Sequence, residues 1–349
     1  MASRDPALPR RRLGRTNLEV TVIGFGGIPI QIQSEEVALA AVRRAHDLGV
    51  NFFDTARGYT NSEERIGRAL EGRDYIVASK SGRRSADAIY EDVCTSLDKL
   101  RRDRIELYQL HGVNDEEQLA AAVAPGGALE GLRRARDEGK IAHIGITGHR
   151  RETLAQAVEE CDEFATVQVP FNLVEDDILD TLVPLCAARD VGIIAMKPVG
   201  GGNFSHAPLA IKWCLTQPIT CAIPGMATPE EVEEDVAAGV GEPTLSPGER
   251  EQLEAMRSEL DRRTCRRCRY CEPCPNGVQI SMLLHGRSVI RRMGVERWKE
   301  WGAREAIASA AHCTECGECL PKCPYQLPIP ELVREAVAYF RTVPGLEEE

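Results

Sequence analysis

Between residues 22 and 240 the chain alternates two kinds of hydrophobic pattern. Short apolar runs, most of them rich in Val and Ile, fall at 22–26, 50–54, 75–80, 105–111, 141–147, 166–171, 192–197 and 220–224. Between them lie longer stretches with helical patterns, at 35–48, 62–71, 85–100, 115–138, 150–161, 175–190, 206–217 and 229–239. Runs of the first kind read as strands buried on both faces. Strands that alternate with helices pair in parallel through right-handed crossovers. The repeat predicts a closed (β/α)8 TIM barrel. An open doubly wound sheet is the competing architecture, but it usually carries a GxGxxG turn. Here Gly24-Phe25-Gly26-Gly27 meets Pro29 where the third glycine would stand. Leu13–Val20 reads as a short hairpin turning at Arg15-Thr16-Asn17, and Ser62 as the cap of the second helix. Beyond the barrel, helices are expected from Ser246 to Arg262, in a linker with Trp298 and Trp301, and near 330–337, with Glu347–Glu349 a solvated end.

Composition narrows the functional classes. The 349 residues accommodate one barrel, assigned to 1–260, and a smaller domain, 261–349. A net charge of -11 argues against nucleic acid as a partner, and Arg10-Arg11-Arg12 is too short to reverse that. No apolar run is long enough to span a bilayer, and the N-terminus lacks a signal-peptide core, so a cytoplasmic protein with no membrane partner is expected. Thirteen cysteines in a reducing setting point to metal ligation rather than disulfides. Cys94, Cys161, Cys186, Cys214 and Cys221 are scattered among apolar residues and read as core filler.

In a barrel the chemistry sits on the loops after the strands. Those ends carry Gly26 and Gly27; Asp54 and Tyr59; Lys80; His111; Thr147-Gly148-His149; Gln168 through Asn172; Lys197-Pro198 with Gly200-Gly201-Gly202; and Pro224-Gly225. An acid, a phenol, an amine and an imidazole on successive strand ends are a candidate active site.

At these residues the sequence resembles the aldo-keto reductases over roughly 12–260. The resemblance is carried by Phe53-Asp54-Thr55-Ala56 with Gly58-Tyr59, by Ala78-Ser79-Lys80, by Leu110-His111, and by Gln168 before Phe171-Asn172. It implies a catalytic tetrad of Asp54, Tyr59, Lys80 and His111, reducing a carbonyl or oxidising an alcohol with NADPH or NADH. The chemistry is consistent with that. A phenol of ordinary pKa about 10 becomes a better proton donor beside an ammonium, which favours the phenolate. Asp54 would keep Lys80 charged, and His111 would orient the carbonyl oxygen. The resemblance further implies nicotinamide binding by Gln168 and Thr147, with Gly148-His149 where the family usually has Asn and Met196 where it often has a stacking Tyr. It also assigns Gly27, Lys197, Pro198, Gly200, Gly201, Pro224 and Gly225 to the nucleotide site. The acidic segment after Gly225 lacks the basic grip for a 2′-phosphate, so NADPH against NADH stays open.

The tail carries Cys265-x2-Cys268-x2-Cys271-x2-Cys274-Pro275 and Cys313-x2-Cys316-x2-Cys319-x3-Cys323-Pro324. The second is the bacterial ferredoxin run, in which three close thiolates hold one cluster and the remote Cys before Pro holds the other. The expectation is a helical dicluster-ferredoxin-like domain with two 4Fe-4S clusters. One would be held by Cys265, Cys268, Cys271 and Cys323, the other by Cys313, Cys316, Cys319 and Cys274. Zinc is the competing metal, but its sites show separated pairs rather than triplets. The tail places the chain near the branch of the family with an iron–sulfur extension. The alternative function is an electron-transfer protein with a partner such as ferredoxin, its barrel a scaffold or nucleotide sensor.

Overall fold

The computed structural model describes residues 8–346. The expected solvated end, Glu347–Glu349, lies outside them. The described chain forms two compact units. One comprises residues up to Gly200 together with His206–Glu249, and the other comprises Gly201–Ser205 with Arg250–Glu349.

The first unit opens with an antiparallel hairpin, β1 (Arg10–Arg12) and β2 (Glu19–Thr21), turning through Gly14–Thr16 with Asn17 left-handed at φ 56°. The barrel strands follow: β3 (Phe25–Gly26), β4 (Phe52–Asp54), β5 (Ile76–Ser81), β6 (Ile105–Leu110), β7 (Ile141–Thr147), β8 (Phe164–Pro170), β9 (Gly192–Met196) and β10 (Cys221–Ile223). They lie side by side in chain order, each neighbouring pair parallel. Parallel bridges Ile23–Ala222 and Gly26–Gly225 bring the first and last strands together. The helices are α1 (Glu35–Asp47), α2 (Ser62–Ala69), α3 (Ala86–Leu100), α4 (Glu116–Val123), α5 (Ala128–Asp137), α6 (Arg151–Glu160), α7 (Leu182–Ala188), α8 (Ala207–Leu215) and α9 (Pro229–Ala237).

Three local expectations are corrected. The single helix expected over 115–138 is two, because Pro125 forces Ala124 to an extended ψ of 159° and Gly126 turns the chain at φ 75°. The helix expected over 175–190 begins only at Leu182. Upstream, the Asn172 side chain accepts from the amides of Val174 and Glu175, which competes with helical pairing. Ser62 is the first helical residue rather than the cap, and its hydroxyl donates instead to the Gly27 carbonyl at 2.8 Å.

Period-two alternation sorts the strands. Phe53, Val77, Tyr108 and Val167 point outward into the main hydrophobic cluster with the helices. Phe52, Ala78, Leu107, Ile194, Cys221 and Ile223 form a separate inner cluster, which Leu13 and Val20 of the hairpin join. Each large side chain so buried contributes about 1.5–3 kcal/mol. Two residues further along three of these strands, the inward positions become Asp54, Lys80 and Gln109, with Gln168 joining them on β8, all of them buried. The barrel interior is therefore apolar at one level and polar at the next, toward the strands' C-terminal ends.

The second unit is helical: α10 (Pro247–Leu260), which begins at the end of the first unit, then α11 (Ile280–Met293), α12 (Val295–Glu300), α13 (Ala303–Ser309) and α14 (Ile329–Phe340). Its core is the Trp298–Phe340 pair, ring centroids 4.3 Å apart. Gly286 makes room for both, since a Cβ there would sit 2.5 Å from Trp298 and 2.6 Å from Phe340. Trp301 stays exposed. No helix among the described residues is long and apolar enough to cross a membrane.

Candidate functional site

The C-terminal ends of β4, β5 and β6 bring Asp54, Tyr59, Lys80 and His111 together. Lys80 Nζ donates to Asp54 Oδ1 at 2.6 Å and to the Thr55 carbonyl at 2.8 Å, and both side chains are buried. The same ammonium lies 5.2 Å from the centroid of the Tyr59 ring. Tyr59 meets the His111 ring edge-on, centroids 5.9 Å apart. Burial pushes the Asp54 carboxyl up, opposed by the Lys80 ammonium and the Gln168 amide. Burial pushes His111 down to about 3, helped by the charges of Lys80 and Arg84, so the imidazole is neutral near pH 7.

The Tyr59 loop is tied down along its length. The amides of Thr55 and Arg57 donate to the carbonyls of Ala78 and Lys80 on β5. The Arg57 guanidinium pairs with buried Glu63 at the start of α2, and Ser79 donates to the same carboxylate at 2.6 Å. Arg84 reaches back to the carbonyls of His111 and Gly112 at 2.9 and 3.1 Å. The sequence reading missed Gln109, whose Nε2 donates to Gln168 Oε1 at 2.8 Å. The signal was available: Gln109 lies two positions before His111 and so shares its face of the strand.

Of the residues assigned to the nucleotide, Gln168 and Thr147 are buried on adjacent strands, Thr147 Oγ1 accepting from the Gly112 amide at 3.1 Å. A side chain at Gly148 is excluded, because a Cβ would lie 2.3 Å from the Val113 carbonyl oxygen. His149 Nε2 lies 3.0 Å from Lys197 Nζ. Met196 is half-buried at the end of β9, next to Lys197 and Pro198. Gly27 donates to the Asp54 carbonyl at 2.8 Å, and Gly225 bridges to Gly26, with Pro224 accepting from the Gly26 amide. Gly200 closes a turn on Lys197, whereas Gly201 groups with the second unit, its carbonyl accepting from Ser288 at 3.4 Å.

In the second unit Cys274, Cys313, Cys316 and Cys319 line one small hollow of about 20 Å³, with Asn276 and Val278 beside them. The Cys319 thiol is pushed up by burial and by Cys274, Cys313 and Cys316 around it. Cys271 is likewise raised, to about 12, by burial and by neighbours that include Cys265 and Cys268. Cys323 is buried and Cys316 exposed. Among the five scattered cysteines, Cys186, Cys214 and Cys221 are buried and Cys94 and Cys161 half-buried.

Comparison with known proteins agrees with this architecture. The aldo/keto reductase family model matches residues 22–207, more than half of the chain, and a 4Fe-4S dicluster domain matches residues 264–328. An L-galactose dehydrogenase of Arabidopsis thaliana is 28% identical over 298 residues, covering 68% of this chain and 92% of that protein. An uncharacterised oxidoreductase of Bacillus subtilis, YqkF, is 29% identical over 216 residues, 57% of this chain and 68% of its own. Among solved structures, an aldo-keto reductase from Klebsiella pneumoniae in complex with NADPH superposes with a TM-score of 0.61 at 25% identity, over 71% of this chain and 95% of that one. The holo form of AKR11C1 from Bacillus halodurans gives the same score at 23% identity, over 71% and 96%, a likeness of fold. The chain belongs to the aldo/keto reductase family of oxidoreductases and carries a C-terminal 4Fe-4S dicluster domain.

Proposed function

We propose that the barrel interconverts a small-molecule carbonyl and its alcohol with NADPH or NADH, and that Tyr59 is the proton donor. The observation that carries this reading is the convergence of a phenol, a buried ammonium and a neutral imidazole at one rim of the barrel. A nicotinamide held by Gln168 and Thr147 would supply the hydride. Tyr59 gives its phenolic proton to the carbonyl oxygen, and the Lys80 charge favours the phenolate left behind. Asp54 holds Lys80 in place through its 2.6 Å contact with Nζ. His111 is neutral, so it donates a hydrogen bond to the same oxygen and orients it without competing as the acid. The count closes: one hydride at carbon and one proton at oxygen give the alcohol.

The residues at hand fit a nicotinamide ring. Gln168 and Thr147 offer an amide and a hydroxyl suited to a carboxamide, and Met196 offers a thioether surface for packing. Glu230 and Glu231 crowd the first turn of α9, which disfavours a 2′-phosphate there and argues for NADH, whereas the Klebsiella structure holds NADPH. The hollow lined by Cys274, Cys313, Cys316 and Cys319 suits an iron–sulfur cluster, and the second set follows from the spacing of the two runs. Cys274, Cys313, Cys316 and Cys319 would hold one, and Cys265, Cys268 and Cys271 with Cys323 the other.

A second reading makes the chain an electron-transfer protein whose barrel is a scaffold or nucleotide sensor, passing single electrons to a partner such as a ferredoxin. Exposed Cys316 favours it, because a cluster there would lie at the surface. Equilibrium titration of the purified protein with NADH and NADPH tests the first reading. Saturable binding of either, followed by carbonyl-dependent oxidation of the bound nucleotide, supports it; binding without such turnover, or no binding at all, leaves the second.

A further inference from the structure

The two cysteine sets are not equivalent in what surrounds their sulfurs. At the first run a backbone amide, that of Arg267, donates to Cys265 Sγ at 3.4 Å. At the second, a side chain does so: Asn276 Nδ2 lies 3.9 Å from Cys316 Sγ and donates to Thr314 Oγ1 at 3.0 Å. Asn276 stands two residues after Cys274 and lines the same hollow as Cys274, Cys313, Cys316 and Cys319. The backbone is shared by the two runs: Glu315 and Gly317 around Cys316 are left-handed, with φ of 54° and 78°, as are Arg267 and Arg269 around Cys268, with φ of 60° and 63°. Cys316 is also exposed, whereas Cys271 of the first run is buried.

We propose that Asn276 tunes the cluster held by Cys274, Cys313, Cys316 and Cys319, making its potential less negative than the cysteines alone would set. The inference rests on the ligand assignment above. One-electron reduction adds a negative charge that is shared with the cluster sulfurs. An amide N–H aimed at one of them stabilises the reduced form more than the oxidised form, and hydrogen bonding and solvent exposure are established controls of cluster potential. Asn276 is a positioning and tuning residue, not a ligand, and it is the only asparagine from residue 250 to the end of the chain.

The test uses the full chain, purified anaerobically, with iron and acid-labile sulfide measured and each cluster's reduction followed by EPR during a dithionite titration. Asn276→Asp keeps the shape and removes the donor, and Asn276→Ala removes the side chain. At iron and sulfide contents equal to wild type, both variants are expected to move one cluster to a more negative potential, Asp further than Ala, while the other cluster stays fixed. In the unaltered protein labelled with 15N-asparagine, pulsed EPR is expected to show 15N coupling at one cluster only. Full iron content with both potentials unmoved, or no 15N coupling at either cluster, overturns the proposal and leaves the ligand assignment standing. A wild-type chain without acid-labile sulfide contradicts the ligand assignment itself.

Discussion

At the scale of single residues, the site rests on a buried ion pair whose halves need each other. Lys80 and Asp54 are both out of water and 2.6 Å apart. Removing one partner of such a pair leaves an uncompensated buried charge, a loss of about 3–5 kcal/mol. Lys80→Met is therefore expected to lower the denaturant midpoint sharply. The double variant Lys80→Met with Asp54→Asn should recover part of the loss, as urea titration of all three proteins would reveal. His111 makes a pH prediction. Its pKa is held down to about 3 in the fold, chiefly by burial and then by Lys80 and Arg84, against about 6.5 in an unfolded chain. Between those values the unfolded chain binds a proton that the folded chain refuses. Stability from this group is therefore complete above pH about 6.5 and falls as the pH drops toward 3. His111→Gln should flatten that part of the stability curve and leave the neutral side parallel to wild type; curves that stay parallel throughout would show that His111 titrates normally. Asp54, Lys80 and His111 stood out in the sequence because each stands at or just past a strand end, and Tyr59 because it follows Asp54 on the loop beyond that strand, where side-chain type suggests chemistry. Arg57 and Glu63 did not, since a charge in a loop or helix has an ordinary explanation until coordinates pair it, whereas Gln109 could have been read from its two-residue spacing to His111.

At the scale of elements, the eight barrel strands were readable from their patterns, because strands covered on both faces leave continuous apolar runs. The errors fell where side-chain chemistry overrides pattern. Pro125 broke a helix whose flanks were both amphipathic, and Asn172 kept the next residues in a turn. At the end of β7, where the resemblance leads one to expect an Asn after Thr147, the chain has Gly148. Gly148 packs so close to the Val113 carbonyl that any side chain must displace backbone. Gly148→Ala is expected to cost about 1–3 kcal/mol through overpacking, read as a lower thermal midpoint. A variant as stable as wild type would mean that this contact is looser than described.

At the scale of the whole molecule, the chain joins a family barrel to a dicluster domain, and the two have different sources of order. The barrel has a large hydrophobic core of its own, whereas the tail gathers a small core around Trp298 and Phe340 and two sets of thiols. Metal binding in such small domains is folding free energy. Stripping the iron with a chelator under reducing conditions is expected to loosen the tail, exposing Trp298 to quenchers, while the barrel keeps its own unfolding transition. An unchanged Trp298 environment in the stripped protein would show that the tail folds without its clusters. The central claim is that two-electron chemistry takes place at the barrel rim with Tyr59 as its acid. Its most direct test is single-turnover transfer of deuterium from reduced nicotinamide nucleotide, deuterated at the reactive carbon, to an aromatic aldehyde, comparing wild type with Tyr59→Phe. The account predicts deuterium at the carbinol carbon in wild type and a rate lower by about 10²–10⁴-fold in the variant, with nucleotide binding unchanged. Equal rates in the two proteins would contradict it.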